Sequence, residues 1–180
     1  MKIFLGQLFN IYVGLVSGRE SIFKQSFGNM KVLNDENRIV KYVYADKYPS
    51  GKKKIDTWLF QNKNQLLERR TRKFNEKNWF EWGAPRNISI MKKYFGEPCI
   101  YVRMQTRKKK VAFVGSIQYF GAQLIMLQLK PERKDFLQNN GINLDTIINF
   151  FNSPDFKENY TYSGRFRIGQ RMIVQTMLPI

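Results

Sequence analysis

The sequence has 180 residues, of which 43% are hydrophobic and 15% aromatic, so it can build a real core and wholesale disorder is excluded. Its 31 Lys and Arg against 14 Asp and Glu give a net charge of +17, which points to a polyanionic partner. No apolar run approaches the roughly 18 residues of a membrane span, and the absence of histidine together with a single cysteine argues against zinc sites, internal disulfides and histidine-based catalysis.

The first half of the chain predicts strands followed by one long helix. The stretch KIFLGQLFNIYVGLV mixes apolar and small residues as strands do, SGRESIF opens a loop or short helix, and RIVKYVYADKY alternates as a strand. A helix near 54–68 is predicted because Ile55, Leu59, Leu66 and Leu67 fall near one face. The basic run 69–73 follows its C-terminus, where cations complement the helix dipole.

The second half predicts more strands and one further helix. Three short β-rich runs between 97 and 130 indicate an antiparallel meander. A C-terminal helix near 143–153 is predicted from its apolar face, with Asn143 as the cap and Ser153-Pro154 as the stop. We therefore expect an α+β fold, β-rich, in a single domain over residues 1–180.

The sequence has none of the common catalytic patterns. No two glycines are spaced as G-x-G, so a phosphate-binding loop is absent. The letters PD at 154–155 and ERK at 132–134 occur in the reverse order of a metal-dependent nuclease motif and without a third partner. We expect a binding protein that has no enzymatic activity of its own, holds no metal and needs no cofactor. We also expect it to be cytoplasmic, with no membrane partner.

Basic residues cluster in three segments: RRTRKF at 69–74, RMQTRKKK at 103–110 and SGRFRIGQR at 163–171. Lysine runs neutralise phosphates without reading sequence, whereas arginine can add bidentate contacts to guanine. Other interpretations stay open. An A+T-rich genome encodes many lysines, and exposed turn tips at 52–54 and 108–110 or a solvated strand face would produce similar clusters.

Two of the three tryptophans lie in NWFEWGAPRN, at 78–87, beside a Gly-Ala-Pro turn signal. Aromatic residues at alternating spacing are more often core than base-stacking platforms, and Phe74, Trp79 and Phe80 fit that reading. Trp82 and Arg86 flank the turn, and we expect both at the surface.

Four stretches, in order, resemble one protein family. The first, LGQLFNIYVGLVSGRESIF, resembles the opening of the TaqI-like C-terminal target-recognition domain of DNA adenine-N6 methyltransferases. Its matching residues are Gly14, Ser17, Gly18, Glu20 and Phe23. The second, NWFEWGAPRNI, is similar to that family's W-[YF]-E-[FYLW]-G-R-x-x-N box. Its matching residues are Trp79, Phe80, Glu81, Gly83 and Asn87.

The remaining two stretches lie near the C-terminus. IINFFNSPDF looks like the family's hydrophobic-LNS helix, through Asn152 and Ser153. YSGRFRIG and the later Leu178-Pro179 pair resemble its closing segment. One departure concerns the box, where Ala84-Pro85 precede Arg86 although the family often places arginine directly after the glycine.

The resemblance implies a sequence-specific reader of double-stranded DNA that belongs to a larger enzyme of a restriction–modification system. The family's catalytic domain carries an [ND]-P-P-[YFW] motif and an S-adenosylmethionine loop, and this sequence has no Pro-Pro pair and no G-x-G. We therefore expect a methyltransferase catalytic domain as partner, in cis or in trans. S-adenosylmethionine would bind to that domain.

The resemblance also suggests roles within the box. Trp79 and Phe80 would anchor it in the core, and Glu81 would hold a neighbouring arginine or accept a hydrogen bond from cytosine N4. Trp82, Arg86 and Asn87 would face DNA, although Asn87 could equally stabilise the turn.

The expected DNA-binding residues combine the basic segments with the motif positions. They are Ser17, Arg19, Arg69, Arg70, Arg72, Lys73, Trp82, Arg86, Asn87, Arg107, Lys108, Arg165, Arg167 and Arg171. Three alternatives remain: an RNA-binding or ribosome-associated basic protein, the specificity subunit of a multisubunit restriction–modification system, and a catalyst in its own right that would bind S-adenosylmethionine.

Overall fold

A computed structural model describes residues 2–179 and confirms the α+β class. The chain divides into two units. Unit 1 comprises Met1–Gly14, Ser89–Gln118 and Ala122–Ile180, and unit 2 comprises Leu15–Ile88 and Tyr119–Gly121. The assignment of residues 1–180 to one domain stays a prediction.

Short helices and strands are interspersed along the chain. The strands are β1 (Lys2–Phe4), β2 (Phe9–Val13), β3 (Met30–Leu33), β4 (Ile39–Tyr42), β5 (Pro98–Arg103), β6 (Gln105–Thr106), β7 (Ala112–Ser116), β8 (Leu124–Leu129), β9 (Thr161–Tyr162), β10 (Arg165–Arg167) and β11 (Met177–Pro179). The helices are α1 (Leu5–Leu8), α2 (Glu20–Phe23), α3 (Lys53–Gln61), α4 (Lys63–Leu67), α5 (Ile88–Lys93), α6 (Lys134–Asn139), α7 (Leu144–Asn152), α8 (Pro154–Glu158) and α9 (Gln170–Val174).

Unit 1 is built on an antiparallel sheet in the order β2-β8-β5-β7. The predicted strands between 97 and 130 are present, but their order is not a meander, because β8 pairs with β5 on the side opposite β7. The burial pattern explains this order. β5 buries every residue after Pro98, as a central strand does, whereas β7 exposes Val114 and Ser116, as an edge strand can.

Two smaller antiparallel sheets complete the strands of unit 1. β1 pairs with β11, and Leu178 of the predicted Leu-Pro closing pair is buried there. The other sheet has the order β6-β10-β9. It brings together residues from the second and third basic segments, which are more than fifty positions apart in the sequence.

The C-terminal helix is confirmed, and the long central helix is not continuous. Asn143 caps α7, since its Oδ1 accepts a hydrogen bond of 2.9 Å from the backbone N–H of Thr146. The helix expected near 54–68 breaks at Asn62, whose backbone (φ −105°, ψ 10°) leaves the helical range between α3 and α4. Its side-chain Nδ2 donates back to the carbonyl of Trp58 at 2.8 Å, which competes with helix continuation.

Unit 2 has the β3–β4 hairpin and an aromatic core. Trp82 lies at the centre of that core, with edge contacts to Phe23, Tyr42 and Tyr44 at ring-centroid distances of 6.1, 5.5 and 5.4 Å. The Trp82 side chain is therefore a packing element of this unit.

Candidate nucleic-acid interface

The first two family-like stretches meet in unit 2 at a close crossing of Gly18 and Gly83. The backbone N–H of Gly83 donates to the carbonyl of Ser17 at 2.8 Å, and Val16 and Ala84 form a bridge beside them. A Cβ on Gly83 would lie 2.8 Å from Oγ1 of Thr71 and 3.3 Å from the Cα of Gly18. Gly18 also has a φ of +84°, which other residues rarely adopt. These glycines let two loops and the basic run 69–73 come together.

Arg69 lies inside this assembly. It is 7% exposed, and its guanidinium donates to the carbonyls of Leu66, Ser17 and Trp79 at 2.8, 3.2 and 2.6 Å. The guanidinium carbon also lies 3.7 Å from the ring centroid of Phe74. Burial, and then the nearby Arg72, lower the pKa of Arg69 to about 10, so it remains protonated at neutral pH. The expectation that Arg69 faces DNA is therefore wrong, because its donors are used within the protein.

Trp82 and Ser17 need the same correction. Trp82 is 2% exposed and its indole N–H donates to the carbonyl of Val43 at 2.9 Å, so it is not at the surface. Ser17 is 3% exposed and its hydroxyl contacts Glu20 at 3.4 Å. The predictions that Trp79 and Phe80 are core residues are confirmed, since they are 3% and 8% exposed.

The remaining predicted residues of unit 2 lie at or near the surface. Arg72 forms an ion pair of 2.6 Å with Glu81, which matches one of the two roles expected for that glutamate. Arg19, Arg70, Lys73 and Arg86 are exposed. Asn87 is half-buried with a φ of 61°, a conformation that asparagine tolerates better than most residues, so its backbone serves the turn.

Unit 1 contains a basic surface, which we call the basic ribbon and define as residues 105–110 and 161–167. These segments contain six Lys and Arg and no Asp or Glu. The predicted site residues Arg107, Lys108, Arg165 and Arg167 are all exposed within it. Among residues 2–179, no acidic side chain forms a salt bridge with Arg165 or Arg167.

The ribbon is held in a defined shape by its turn and its buried face. Ser163 and Gly164 have φ values of 50° and 71°, the two positive values typical of a tight hairpin turn. The carbonyl of Ser163 accepts a hydrogen bond of 3.2 Å from Nη1 of Arg107, so the turn holds that arginine. Phe166 is 3% exposed and lies near Phe156 and Tyr160. Since side chains alternate along a strand, Arg165 and Arg167 lie on the opposite, outward face.

The family-like Asn152 supports the ribbon from α7. Its Oδ1 accepts hydrogen bonds from the backbone N–H groups of Val111 and Ala112 at 2.6 and 3.1 Å, and its Nδ2 donates to the carbonyl of Ala112 at 3.0 Å. Lys157 of α8 donates from Nζ to the carbonyl of Lys109 at 2.8 Å. Asn152 thus anchors the lysine loop 108–110 through Val111, which directly follows it, and Lys157 anchors it through the backbone carbonyl of Lys109.

One predicted residue lies outside the ribbon, and one exposed residue of the ribbon was not predicted. Arg171 is exposed on the last turn of α9, outside the ribbon. Tyr162 is 87% exposed within the ribbon and was not among the predicted residues. Its position beside the Ser-Gly turn signal, between two basic segments, was the available clue.

Both units carry part of the positive charge. Unit 1 has 15 Lys and Arg against 6 Asp and Glu, and unit 2 has 16 against 8. Within residues 2–179, no cluster of three or more acidic or cysteine side chains is arranged to hold a metal ion. In the same range no helix combines the length and apolarity that crossing a membrane requires.

Comparisons with known proteins reveal likeness to solved structures and none to known sequences. No family model matches the sequence, and no curated protein matches it. Among solved structures, the chain is similar to the type IIG restriction endonuclease BpuSI, with 10% sequence identity and a TM-score of 0.49. The similarity covers 99% of this chain and 24% of that one, so this chain spans about a quarter of that enzyme's length. At this score the likeness supports no conclusion about activity.

Proposed function

We propose that this chain binds double-stranded DNA sequence-specifically through the basic ribbon, as the target-recognition part of an adenine-N6 DNA methyltransferase of a restriction–modification system. The observation that carries the proposal is the ribbon itself, where six cationic residues without an acidic neighbour in its sequence segments are held on a rigid support. Concentrated positive charge of this kind is costly in isolation and favourable against a polyanion, because binding releases counterions from the phosphates.

The shape of the ribbon favours a duplex over a disordered polyanion. The tip of the β9–β10 hairpin extends past β6 and is two-stranded. A two-stranded β-ribbon fits the major groove of B-form DNA, where arginine can bond to O6 and N7 of guanine. Arg165 and Arg167 lie two positions apart on the outward face of β10, so both can address the same groove while the lysine loop 108–110 meets the flanking phosphates.

The finer part of the proposal is supported by the four ordered family-like stretches. Asn152, Ser153 and residues 162–167 of the ribbon belong to these stretches in unit 1, and the Gly18–Gly83 crossing belongs to them in unit 2. Methyl transfer would require a separate catalytic domain that holds S-adenosylmethionine. This chain would supply the grip on the duplex that a base-extruding enzyme needs.

Fluorescence anisotropy with a random-sequence duplex, over a salt series from about 50 to 200 mM, tests the proposal. The Arg165→Gln, Arg167→Gln double variant should weaken binding and flatten the log–log salt slope by about 2, since two cations that displace counterions from the phosphates are lost. The control is the Lys92→Gln, Lys134→Gln double variant, which removes the same charge from exposed positions of unit 1 outside the ribbon. Equal effects of the two variants would contradict a role for the ribbon.

Single-stranded RNA serves as the competitor, and selection from a random duplex library follows. Duplex binding that RNA does not displace, together with an enriched consensus containing adenine, supports the proposal. Displacement by RNA would favour an RNA-binding protein instead. Duplex binding without any enriched sequence would contradict target recognition.

A further inference from the structure

Tyr162 is an unusually exposed aromatic residue in the middle of positive charge. Its exposed fraction of 87% exceeds those of Phe60 and Phe95, which are both 61% exposed. An aromatic ring of this size normally buries most of its area, so leaving it in water forgoes a substantial hydrophobic gain.

The strand register places Tyr162 on the cationic face of the ribbon. Tyr162 is the direct cross-strand partner of Arg165, and Arg167 is the partner of Gln105. Directly opposed residues of an antiparallel pair point to the same side of the sheet. The outward face therefore presents Tyr162, Arg165, Arg167 and Gln105 together, with Phe166 on the inward face.

The backbone under Tyr162 is well supported. The N–H of Arg167 donates to the carbonyl of Tyr160 at 2.9 Å, and the hydroxyl of Thr161 donates to the carbonyl of Lys157 at 2.7 Å. The Ser163–Gly164 turn follows directly. A tyrosine has only two side-chain torsions, so a ring on a fixed strand loses little entropy when it binds a partner.

We propose that Tyr162 stacks on a nucleobase that has left the regular base stack, while Arg165 and Arg167 hold the adjacent duplex. This inference rests on the proposed DNA-binding function and adds to it a preference for locally unstacked DNA. The chemistry fits both parts of the ligand, since every base offers a π-face to an aromatic ring and the cations of the ribbon are attracted to the adjacent duplex.

The composition of the face argues against an apolar protein partner. The neighbours of Tyr162 in the ribbon are arginines and a glutamine, and no second exposed apolar side chain lies within 105–110 or 161–167. A hydrophobic docking patch would need several contiguous apolar groups. A residue that stacks on a base needs only one exposed ring, with cationic side chains around it that attract the nucleic acid.

The test compares a fully paired short duplex with the same duplex containing one central mismatched base pair. A mismatch lowers the cost of unstacking a base, so a protein that captures such a base binds it more tightly. We expect the full chain to prefer the mismatched duplex by about tenfold, within the range measured for single base–aromatic stacks. Tyr162→Ala should remove that preference, and Tyr162→Phe should keep it because the ring remains.

Two controls separate this inference from the proposed function. Phe95→Ala removes another exposed ring of unit 1, outside the ribbon, and should leave the preference unchanged. The Arg165→Gln, Arg167→Gln double variant should weaken binding to both duplexes by the same factor. If the full chain binds duplex DNA but Tyr162→Ala retains the mismatch preference, or no preference exists, the stacking role is wrong while the DNA-binding function stands. If no duplex binds, both fail.

Discussion

Arg72 donates from Nη2 to Oε2 of Glu81 at 2.6 Å and to the carbonyl of Trp82 at 3.0 Å. One guanidinium thus links the basic run 69–73 to the NWFEWG box, within unit 2. Its distance to the ring centroid of Phe74 is 5.0 Å, which adds a cation–π contact. Much of the positive charge of this run is therefore used to hold the run in place.

This relationship predicts different effects at two adjacent arginines. Arg72→Gln should lower the free energy of unfolding by about 1 kcal/mol, because it breaks an ion pair and a hydrogen bond that are both partly exposed to water. Arg70→Gln removes the same charge from an exposed neighbour and should change stability by less than about 0.5 kcal/mol. Urea unfolding of the two variants checks the difference, and equal losses would contradict a structural role for Arg72.

Arg69 should tolerate no substitution that removes its fork of donors. Arg69→Lys keeps the charge but presents a single ammonium group, so carbonyls of Leu66, Ser17 and Trp79 would lose partners. We expect a loss of about 2 to 3 kcal/mol. Arg70→Lys is the matched control and should be nearly neutral. Both variants preserve net charge, so the difference in thermal unfolding reports the lost hydrogen bonds and contacts of the guanidinium. A neutral Arg69→Lys would contradict the inward placement.

The Gly18–Gly83 crossing predicts a steric penalty at Gly83. An alanine there would place its Cβ 2.8 Å from Oγ1 of Thr71, which forces the basic run outward. Gly83→Ala should cost about 2 kcal/mol, as overpacked sites do. Gly121→Ala is the control, because its added Cβ would make only an ordinary contact of 3.8 Å with the carbonyl oxygen of Leu33. Adding Thr71→Ala to Gly83→Ala should recover part of the loss, and the absence of any recovery would show that Thr71 is not the obstacle.

The sequence predicts the structural positions of some residues and not of others. The core positions of Trp79 and Phe80 followed from local alternation, and the cap at Asn143 followed from its place before an apolar run. Trp82 was misplaced because a residue beside a turn was expected to be exposed, whereas its partners Val43 and Tyr44 come from a distant segment. Local pattern carries no information about such pairings.

The local sequence pattern also does not show which charged residues come together in the fold. The basic segments were visible as composition, but the convergence of 105–110 with 161–167 depends on the β6–β10 pairing. Arg69, Arg70, Arg72 and Lys73 are all cationic and lie within five positions of the sequence. Only their tertiary contacts show that Arg69 is buried and Arg72 is paired, whereas Arg70 and Lys73 are exposed. The break at Asn62 was likewise hidden, since the apolar face continues through it.

Cys99 should be inert in the folded protein and should make stability depend on alkaline pH. Burial raises the pKa of its thiol from 9.0 to about 12, against a smaller opposing effect of its hydrogen bond with Tyr101. Above about pH 9 the unfolded chain loses this proton while the folded chain keeps it. The folded state then binds more protons, so stability falls as pH rises, by about 1.4 kcal/mol per pH unit for this group.

Two measurements check the behaviour of Cys99. A thiol reagent at neutral pH should react only after denaturant is added. The difference in unfolding free energy between the parent chain and Cys99→Ala should shrink between about pH 8 and pH 10, because the variant lacks the titrating group. A pH-independent difference, or rapid labelling of the native thiol, would contradict its burial.

Asn152→Ala should lower both the unfolding free energy and the affinity for DNA, although it leaves the net charge unchanged. Its amide accepts from two backbone N–H groups directly after the lysine loop 108–110, so Asn152→Ala leaves those groups without that partner. We expect a loss of about 2 kcal/mol in unfolding free energy. Duplex affinity should fall several-fold because the loop is less ordered, while the salt slope stays the same because no cation is removed. Asn149→Ala, at an exposed position of the same helix, should alter neither quantity. If Asn152→Ala is destabilised but binds DNA as the parent chain does, the ribbon does not depend on this anchor for its grip on the duplex.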